Sequence, residues 1–427
     1  MLNLRRVALG TVAASLALVL TACCGECDDS KPAASSGAGA PVAHASRTPA
    51  SMPAIAAGVI AASIGSAEAP AAEPILIGHY GSLTGSEATF GLSTSRGIKL
   101  AIKEFNEAGG LNGRPIVLRE YDDKGDAKEA TLTVTRLVKS DQVVAVLGEV
   151  ASGLSLAGGP VCQEAGVPMI TPSSTNPRVT AVGDMIFRVC FIDPFQGFVC
   201  AKFASTTLKA RTAAMLYDQK APYSVGLAEQ FKKNFEKLGG TIVAEQTYTG
   251  GDLDYSAQLT TIRAARPDVV FIPGYYTDVG NISIQARKLG VTVPLLGGDG
   301  WDSEELAKIG GRNIEGCYYS NHYAPDQPDA RVKEFIQKFR SEYGGSTPDG
   351  LAALGYDAAM ILFDSMKRAK SLGGKDLRDA IAATTSFAGV TGTITIDKDR
   401  NAKKAAVVVQ MKGTPLGPKF VASIEPE

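Results

Sequence analysis

The sequence predicts an α/β protein made of two similar lobes in tandem, each wound on a parallel sheet. Three observations carry this. From Pro74 onward, short β-branched runs alternate with longer segments of helical period, the pattern of strand–helix–strand units. The alternation runs twice along the chain. The halves also share a local signature. Glu104-Phe105-Asn106-Glu107-Ala108-Gly109-Gly110 closes a helix ahead of a strand, and Asn234-Phe235-Glu236-Lys237-Leu238-Gly239-Gly240 repeats it one lobe later. In both, glycine supplies the left-handed conformation that ends a helix.

In the first half, strands are expected at Ile75–Gly78, Ile116–Tyr121, Val143–Leu147 and Val167–Thr171. Helices fit between them, at Leu92–Ala108, Ala127–Lys139 and Ser155–Glu164. The middle of the chain offers strands at Ile186–Val189, Thr212–Tyr217, Thr241–Gln246, Val269–Ile272 and Val293–Leu296. Its helices are expected at Phe195–Thr206, Ser224–Leu238, Ser256–Ala265 and Val279–Leu289. Three more helices follow, at Ala330–Tyr343, Leu351–Ala369 and Lys375–Ala382. The chain is expected to end in a hairpin: Gly392–Ile396, a turn over 397–401, then Ala405–Met411.

At 427 residues the chain is too long for one small core, and two or three domains are expected. It is 45% hydrophobic and 20% charged, which is ordinary for a globular protein. The net charge is −1 and no basic stripe is present, so nucleic acid is not an expected partner. One Trp and three His leave little material for aromatic cages or metal centres, and no cofactor or metal is expected.

The N-terminus carries an export signal. Arg5 and Arg6 precede an apolar run from Val7 to Leu20, shorter than the roughly 20 residues a spanning helix needs. The run ends in Leu20-Thr21-Ala22-Cys23, which looks like a bacterial lipobox with Cys23 as the acylated residue. Residues 1–23 are therefore expected as a signal peptide, and a lipid on Cys23 would hold the protein at a membrane face. Ordinary cleavage near Ala22 is the alternative. Residues 24–73, rich in Ala, Ser, Gly and Pro, read as a flexible linker. An apolar patch at Ile55–Ile64 inside it has no physical account. Of the remaining cysteines, Cys162, Cys190, Cys200 and Cys317 are expected as small buried hydrophobes, although export permits disulfides.

In open parallel sheets, ligands bind beyond the carboxyl ends of the strands. After the fourth strand comes Thr171-Pro172-Ser173-Ser174-Thr175-Asn176-Pro177, a hydroxyl-rich turn stiffened by prolines. After the third comes Gly148-Glu149-Val150-Ala151-Ser152, which leads into a helix N-terminus. Two donor turns on neighbouring strands make a seat for a carboxylate. In the second half, Pro273-Gly274-Tyr275-Tyr276 follows one strand and Gly297-Gly298-Asp299-Gly300-Trp301 the next. Asp299 sits among glycines, where a ligand can approach closely. A carboxylate–ammonium pair about 4 Å apart gains roughly 4 kcal/mol at an effective dielectric near 20, before desolvation. The bland alternative is that these segments are only caps and turns.

These turns carry a family resemblance. From Pro74 to the C-terminus the chain resembles the leucine/isoleucine/valine-binding proteins of bacterial ABC transporters, which are type I periplasmic binding proteins. The stretches that carry it are Gly81-Ser82-Leu83-Thr84-Gly85, Asn106-Glu107-Ala108-Gly109-Gly110-Leu111-Asn112-Gly113, Tyr121-Asp122-Asp123, Pro168–Pro177 and Gly274-Tyr275-Tyr276. The resemblance implies two Rossmann-like, doubly wound parallel-sheet lobes joined by a hinge crossed three times. It places residues 74–193 with 323–388 in the N-terminal lobe and 194–322 with 389–427 in the C-terminal lobe. It implies that Ser152, Ser174 and Thr175, with Ser173 beside them, grip the carboxylate of an amino-acid ligand. It also implies that Asp299 pairs with the ammonium, that Tyr223 and Tyr275 flank it, and that Phe90 packs on the side chain. Partners implied are the permease subunits of an ABC transporter, with the protein acting as a monomer.

The departures are specific. Asp299 is one methylene shorter than the family's glutamate. Gly125 and Ala151 stand where well-known members have a disulfide pair. Glu149 is an extra charge, either meeting a second cationic group of a ligand or facing solvent. An apolar pocket separates side chains one methylene apart by only about 1–3 kcal/mol, so leucine, isoleucine and valine would be poorly distinguished.

An enzyme is not expected. The segment Gly78-His79-Tyr80-Gly81-Ser82-Leu83-Thr84-Gly85 has the wrong spacing for a dinucleotide fingerprint. His79 and His322 have no evident Ser or Cys partner for hydrolysis, and no catalytic residue is assigned. The remaining alternative is a ligand-sensing module that reports to a membrane receptor in trans.

Overall fold

A computed structural model describes residues 73–426. The expected signal peptide, the linker, the apolar patch and Cys23 lie outside the described residues.

The first sheet contains β1 (Ile75–Gly81), β2 (Ile116–Asp122), β3 (Val146–Leu147), β4 (Met169–Thr171) and β5 (Ile186–Arg188) in the order β2-β1-β3-β4-β5, all parallel. Helices α1 (Ala88–Glu107), α2 (Ala127–Lys139) and α3 (Ser152–Ala165) make the crossovers. Helix α4 (Asp193–Thr206) leads to β6 (Thr212–Asp218), α5 (Pro222–Lys237), β7 (Thr241–Tyr248), α6 (Ser256–Ala265), β8 (Val269–Ile272), α7 (Tyr276–Lys288), β9 (Leu295–Gly297), α8 (Glu304–Gly310) and β10 (Tyr318–Asn321). In the second sheet these five strands run β7-β6-β8-β9-β10, again parallel. The first order is thus repeated in the second lobe, as the shared helix endings suggested. Gly109 and Gly239, each one residue past a helix C-cap, stand at φ +100° and +82°, the positive-φ stops expected of them.

Three helices follow: α9 (Ala330–Glu342), α10 (Gly350–Arg368) and α11 (Gly374–Ala382). Helix α10 is apolar on nearly every face because it is buried almost throughout, packed along α1. The two helices touch backbone to backbone. A Cβ on Gly97 would fall 1.9 Å from the Ala352 carbonyl oxygen. Polar side chains start the helices where the sequence offers them: Asp126 accepts from the Lys128 and Glu129 N–H groups, and Asp349 from that of Ala352.

The C-terminal expectation needs correction. Gly392–Ile396 does not pair with Ala405–Met411. Instead β11 (Phe387–Gly389), β12 (Gly392–Ile396) and β13 (Ala402–Lys403) form a small antiparallel sheet. Its turn is tied to α10, where Asp357 accepts from the Val390 and Thr391 N–H groups at 2.7 and 2.9 Å. The next strand, β14 (Ala406–Lys412), joins the second sheet between β10 and β15 (Gly417–Ile424), antiparallel to both. The physical reason is burial on both faces. Residues 406–409 are all buried, which suits an interior strand and not an exposed hairpin arm. The short strands β10, β11 and β13 and the short helix α8 carry no periodic signal long enough to read, and the eight-residue β15 is a further strand the sequence reading does not include.

The four described cysteines are free and buried, as expected of small hydrophobes. Burial pushes the Cys190 and Cys200 thiols up to about 12.

Candidate functional site

The site forms where strands end. From the first sheet come the turns after β3 and β4 and the start of α1. From the second come the turns after β8 and β9. Phe90, Val150, Ser173, Tyr223, Tyr275, Asp299, Gly300 and Leu351 line one cavity between them. Five of the eight residues expected at the site are therefore brought together, while Ser152, Ser174 and Thr175 do not line the cavity.

Asp299 is the polar centre. It is buried, and four donors converge on it. Oδ1 accepts from the Tyr223 hydroxyl at 3.0 Å and from Gln196 Nε2 at 2.8 Å. Oδ2 faces the Ser173 hydroxyl at 3.3 Å and His322 Nε2 at 3.0 Å. His322 stacks on Phe191, with ring centroids 3.7 Å apart. Burial pulls its pKa down to about 4, so near neutral pH it is uncharged. Donation from Nε2–H to the carboxylate is then the consistent assignment. The Ser173 hydroxyl meets the acid and not the imidazole, so the three do not form a nucleophilic relay.

The glycines around Asp299 are packed closely against the protein itself. A Cβ on Gly298 would lie 2.4 Å from the Tyr223 hydroxyl, and one on Gly300 would lie 2.7 Å from the Gly274 carbonyl oxygen. They make room for the protein's own side chain and backbone. Tyr223 in turn accepts from the Gly300 N–H at 3.0 Å. Its ring lies 5.3 Å from that of Tyr275 and 7° from parallel. Phe90 meets Tyr275 and Tyr276 edge to face, at 5.5 and 5.1 Å. Phe90, Val150 and Leu351 give the cavity its apolar lining on the first-sheet side.

The donor turns behave unequally. The Ser174 hydroxyl is committed internally, to the Glu149 and Val150 carbonyls, both at 3.0 Å, and to Ser155 Oγ at 2.7 Å. Ser152 Oγ accepts from the Asn176 N–H at 3.2 Å. Thr175 is fully buried; among the described residues its N–H has no protein partner, and its Oγ1 makes no well-formed hydrogen bond but lies beside the buried Asp193 carboxyl, whose pKa it helps hold down. A buried donor in that condition is costly unless something else meets it.

Glu149 does not face solvent. It is buried, with Oε1 accepting from the Ser82 N–H at 3.1 Å and Oε2 taking the Ala151 N–H. The Ser82 hydroxyl lies between Glu149 Oε1 (3.2 Å) and Asp123 Oδ1 (3.0 Å). One hydroxyl proton cannot serve two carboxylates. Burial, and secondarily the pairing with Asp123, push the Glu149 carboxyl well above its usual range. Burial pushes Asp123 up to about 6. Glu149 thus braces the turn from within.

Sequence reasoning missed Gln196, His322, Val150 and Leu351. Gln196 and His322 stand 103 and 23 residues from Asp299, and no local pattern links them to it. Contacts also join the two sheets' elements outside the cavity. The Tyr276 hydroxyl and Thr277 Oγ1 both donate to the Ser86 carbonyl at 2.8 Å, Thr89 Oγ1 lies 2.9 Å from Ser303 Oγ, and the Gly350 N–H donates to Asp302 at 2.6 Å.

Comparison with known proteins agrees with this architecture. Residues 74–415 match the profile of a periplasmic binding protein family. Leu/Ile/Val-binding protein homolog 3 of Brucella melitensis is 34% identical over 335 residues, which cover 76% of this chain and 90% of the relative. A leucine-, isoleucine-, valine-, threonine- and alanine-binding protein of Pseudomonas aeruginosa is 31% identical, over 78% of this chain and 88% of its own. Among solved structures, a leucine-binding protein LivK from Thermotoga maritima superposes with a TM-score of 0.79 at 38% identity, covering 82% of this chain and 99% of that one. A branched-chain amino-acid transporter substrate-binding protein LivJ from Streptococcus pneumoniae, in complex with isoleucine, gives 0.77 at 33% identity, with coverage of 82% and 99%.

Proposed function

This chain belongs to the periplasmic binding protein family, and from that premise we propose that it captures a branched-chain amino acid between its two lobes and hands it to an ABC-transporter permease. The family is one of exported, non-enzymatic solute-binding proteins. The observation that carries the proposal is the meeting of Ser173 and Asp299 beside an apolar wall of Phe90, Val150 and Leu351. A zwitterion with an aliphatic side chain fits that combination.

In this reading the ligand ammonium pairs with Asp299. Of the four groups on that carboxylate, the Ser173 hydroxyl is the most distant and the most readily displaced. The ligand carboxylate takes the unclaimed Thr175 N–H and draws the Thr175 hydroxyl from Asp193, with Ser152 nearby at the start of α3. Ser174 supports the turn through its internal bonds and acts as a brace. Tyr223 and Tyr275 flank the ammonium end, and Phe90 covers the side chain.

We place one lobe over 74–193 and 323–388 and the other over 194–322 and 389–427, with one amendment. The bonds from Asp357 to residues 390 and 391 favour moving the third crossing to about 404. A ligand touched from both sides stabilises the closed form because only that form makes both sets of contacts. No helix among the described residues is long and apolar enough to cross a membrane. Anchorage through a lipid on Cys23 after signal-peptide cleavage, and action as a monomer, complete the proposal. The sensor alternative gains nothing from the relatives.

The test is calorimetric titration with each of the twenty amino acids. Leucine, isoleucine and valine are expected to bind with similar affinity. Binding of none of the three would end the reading. Metabolic labelling with palmitate, lost in Cys23→Ala, tests the anchor.

A further inference from the structure

Arg188, on the edge strand β5, is fully buried and appears in no ion pair among the described residues. Its guanidinium is spent on the turn after β4. Nη1 donates to the Ser174 carbonyl, and Nη2 donates to the Asn176 carbonyl at 2.8 Å and to Thr180 Oγ1 at 3.3 Å. The Cys190 thiol reaches the same Ser174 oxygen at 3.4 Å. Arginine presents a rigid, planar fork and keeps its charge, so it can fix two carbonyls at once.

Peptide geometry turns this into a statement about the site. The only cis peptide among the described residues is Thr414-Pro415, so the Ser174–Thr175 peptide is trans. In a trans peptide the N–H points opposite to the C=O. Drawing the Ser174 oxygen toward Arg188 therefore sends the Thr175 N–H away from it. That N–H is the donor without a protein partner. Resting on the reading of the site as an amino-acid seat, we propose that Arg188 is a positioning residue for carboxylate recognition: its fork fixes the Ser174–Asn176 backbone so that Thr175 presents its N–H to the ligand carboxylate.

The experiment compares L-leucine with L-leucinamide, which keeps the ammonium and side chain but lacks the carboxylate. Calorimetry is run on the wild-type protein, Arg188→Met and Arg188→Lys, with thermal unfolding in parallel. Arg188→Lys keeps a charge without the fork and serves where Arg188→Met does not fold. The expected result is a loss of at least tenfold in leucine affinity in either variant, with leucinamide affinity changed less than threefold. A purely structural arginine would lower the unfolding temperature and weaken both ligands alike, and that outcome overturns the proposal. Unchanged leucine affinity overturns it too. If the wild-type protein binds neither ligand, the amino-acid reading itself fails and takes this inference with it.

Discussion

The Ser173 hydroxyl lies 3.3 Å from Asp299 Oδ2, and at that point a turn of the first sheet touches a turn of the second. The two residues are 126 positions apart in the chain. Neither makes a site alone. Their meeting places a carboxylate, already held by Tyr223, Gln196 and His322, beside a turn whose next residue but one has an unclaimed donor.

Asp299→Ala is expected to weaken leucine binding at least tenfold, which is about 1.4 kcal/mol or more. It also orphans His322, Gln196 and Tyr223 groups, each at a cost of about 1–3 kcal/mol. Asp299→Asn is the cleaner variant, because it keeps an acceptor while removing the charge. Titration of both against leucine checks this, and unchanged affinity in Asp299→Asn would remove the acid from ligand recognition.

Thr175→Ala tests the opposite end. Its hydroxyl makes no well-formed hydrogen bond among the described residues, and its approach to the buried Asp193 carboxyl is the one internal contact its loss removes. Stability should change by less than about 1 kcal/mol, while affinity for leucine falls. Denaturant unfolding and calorimetry on the same preparation separate the two. Equal losses of stability and affinity would identify a structural turn.

Asp349 caps α10 and is half-buried, and desolvation, with Asp302 second, pushes its carboxyl up to about 7. The group is thus easier to protonate in the folded state than in the unfolded chain. Its stabilising contribution is full below pH 4 and is lost as pH rises to about 7. Asn accepts from the Ala352 N–H and the Ser93 hydroxyl as Asp does, and caps as well. Asp349→Asn should therefore gain unfolding temperature over the wild type at pH 8 and much less at pH 4.5. An equal difference at both values would show that the carboxyl titrates normally.

Tyr276→Phe removes the hydroxyl that donates to the Ser86 carbonyl across the two lobes. If that bond holds the closed form, removing about 0.5–1.5 kcal/mol should speed ligand release about 2- to 12-fold with little change in association. Stopped-flow measurement of leucine release would detect it. An unchanged release rate would mean that the bond does not contribute to closure.

The sequence alone determined the α/β class, the tandem of two lobes, most strands and helices, and the turns from which the site is built. These properties are local: a strand or a helix stop is written in a few consecutive side chains, and so is the Pro172–Pro177 turn. Only the tertiary structure decided the rest. It routed β14 into the interior of the second sheet, because burial on both faces of that strand outweighed the nearby turn. It set Glu149 inside the first lobe, where its carboxyl braces a backbone turn away from solvent. It put Gln196 and His322 on Asp299, and Arg188 behind Thr175. Those pairings depend on which elements fold against each other, and no spacing along the chain encodes the contact of Gln196 with an acid 103 positions away.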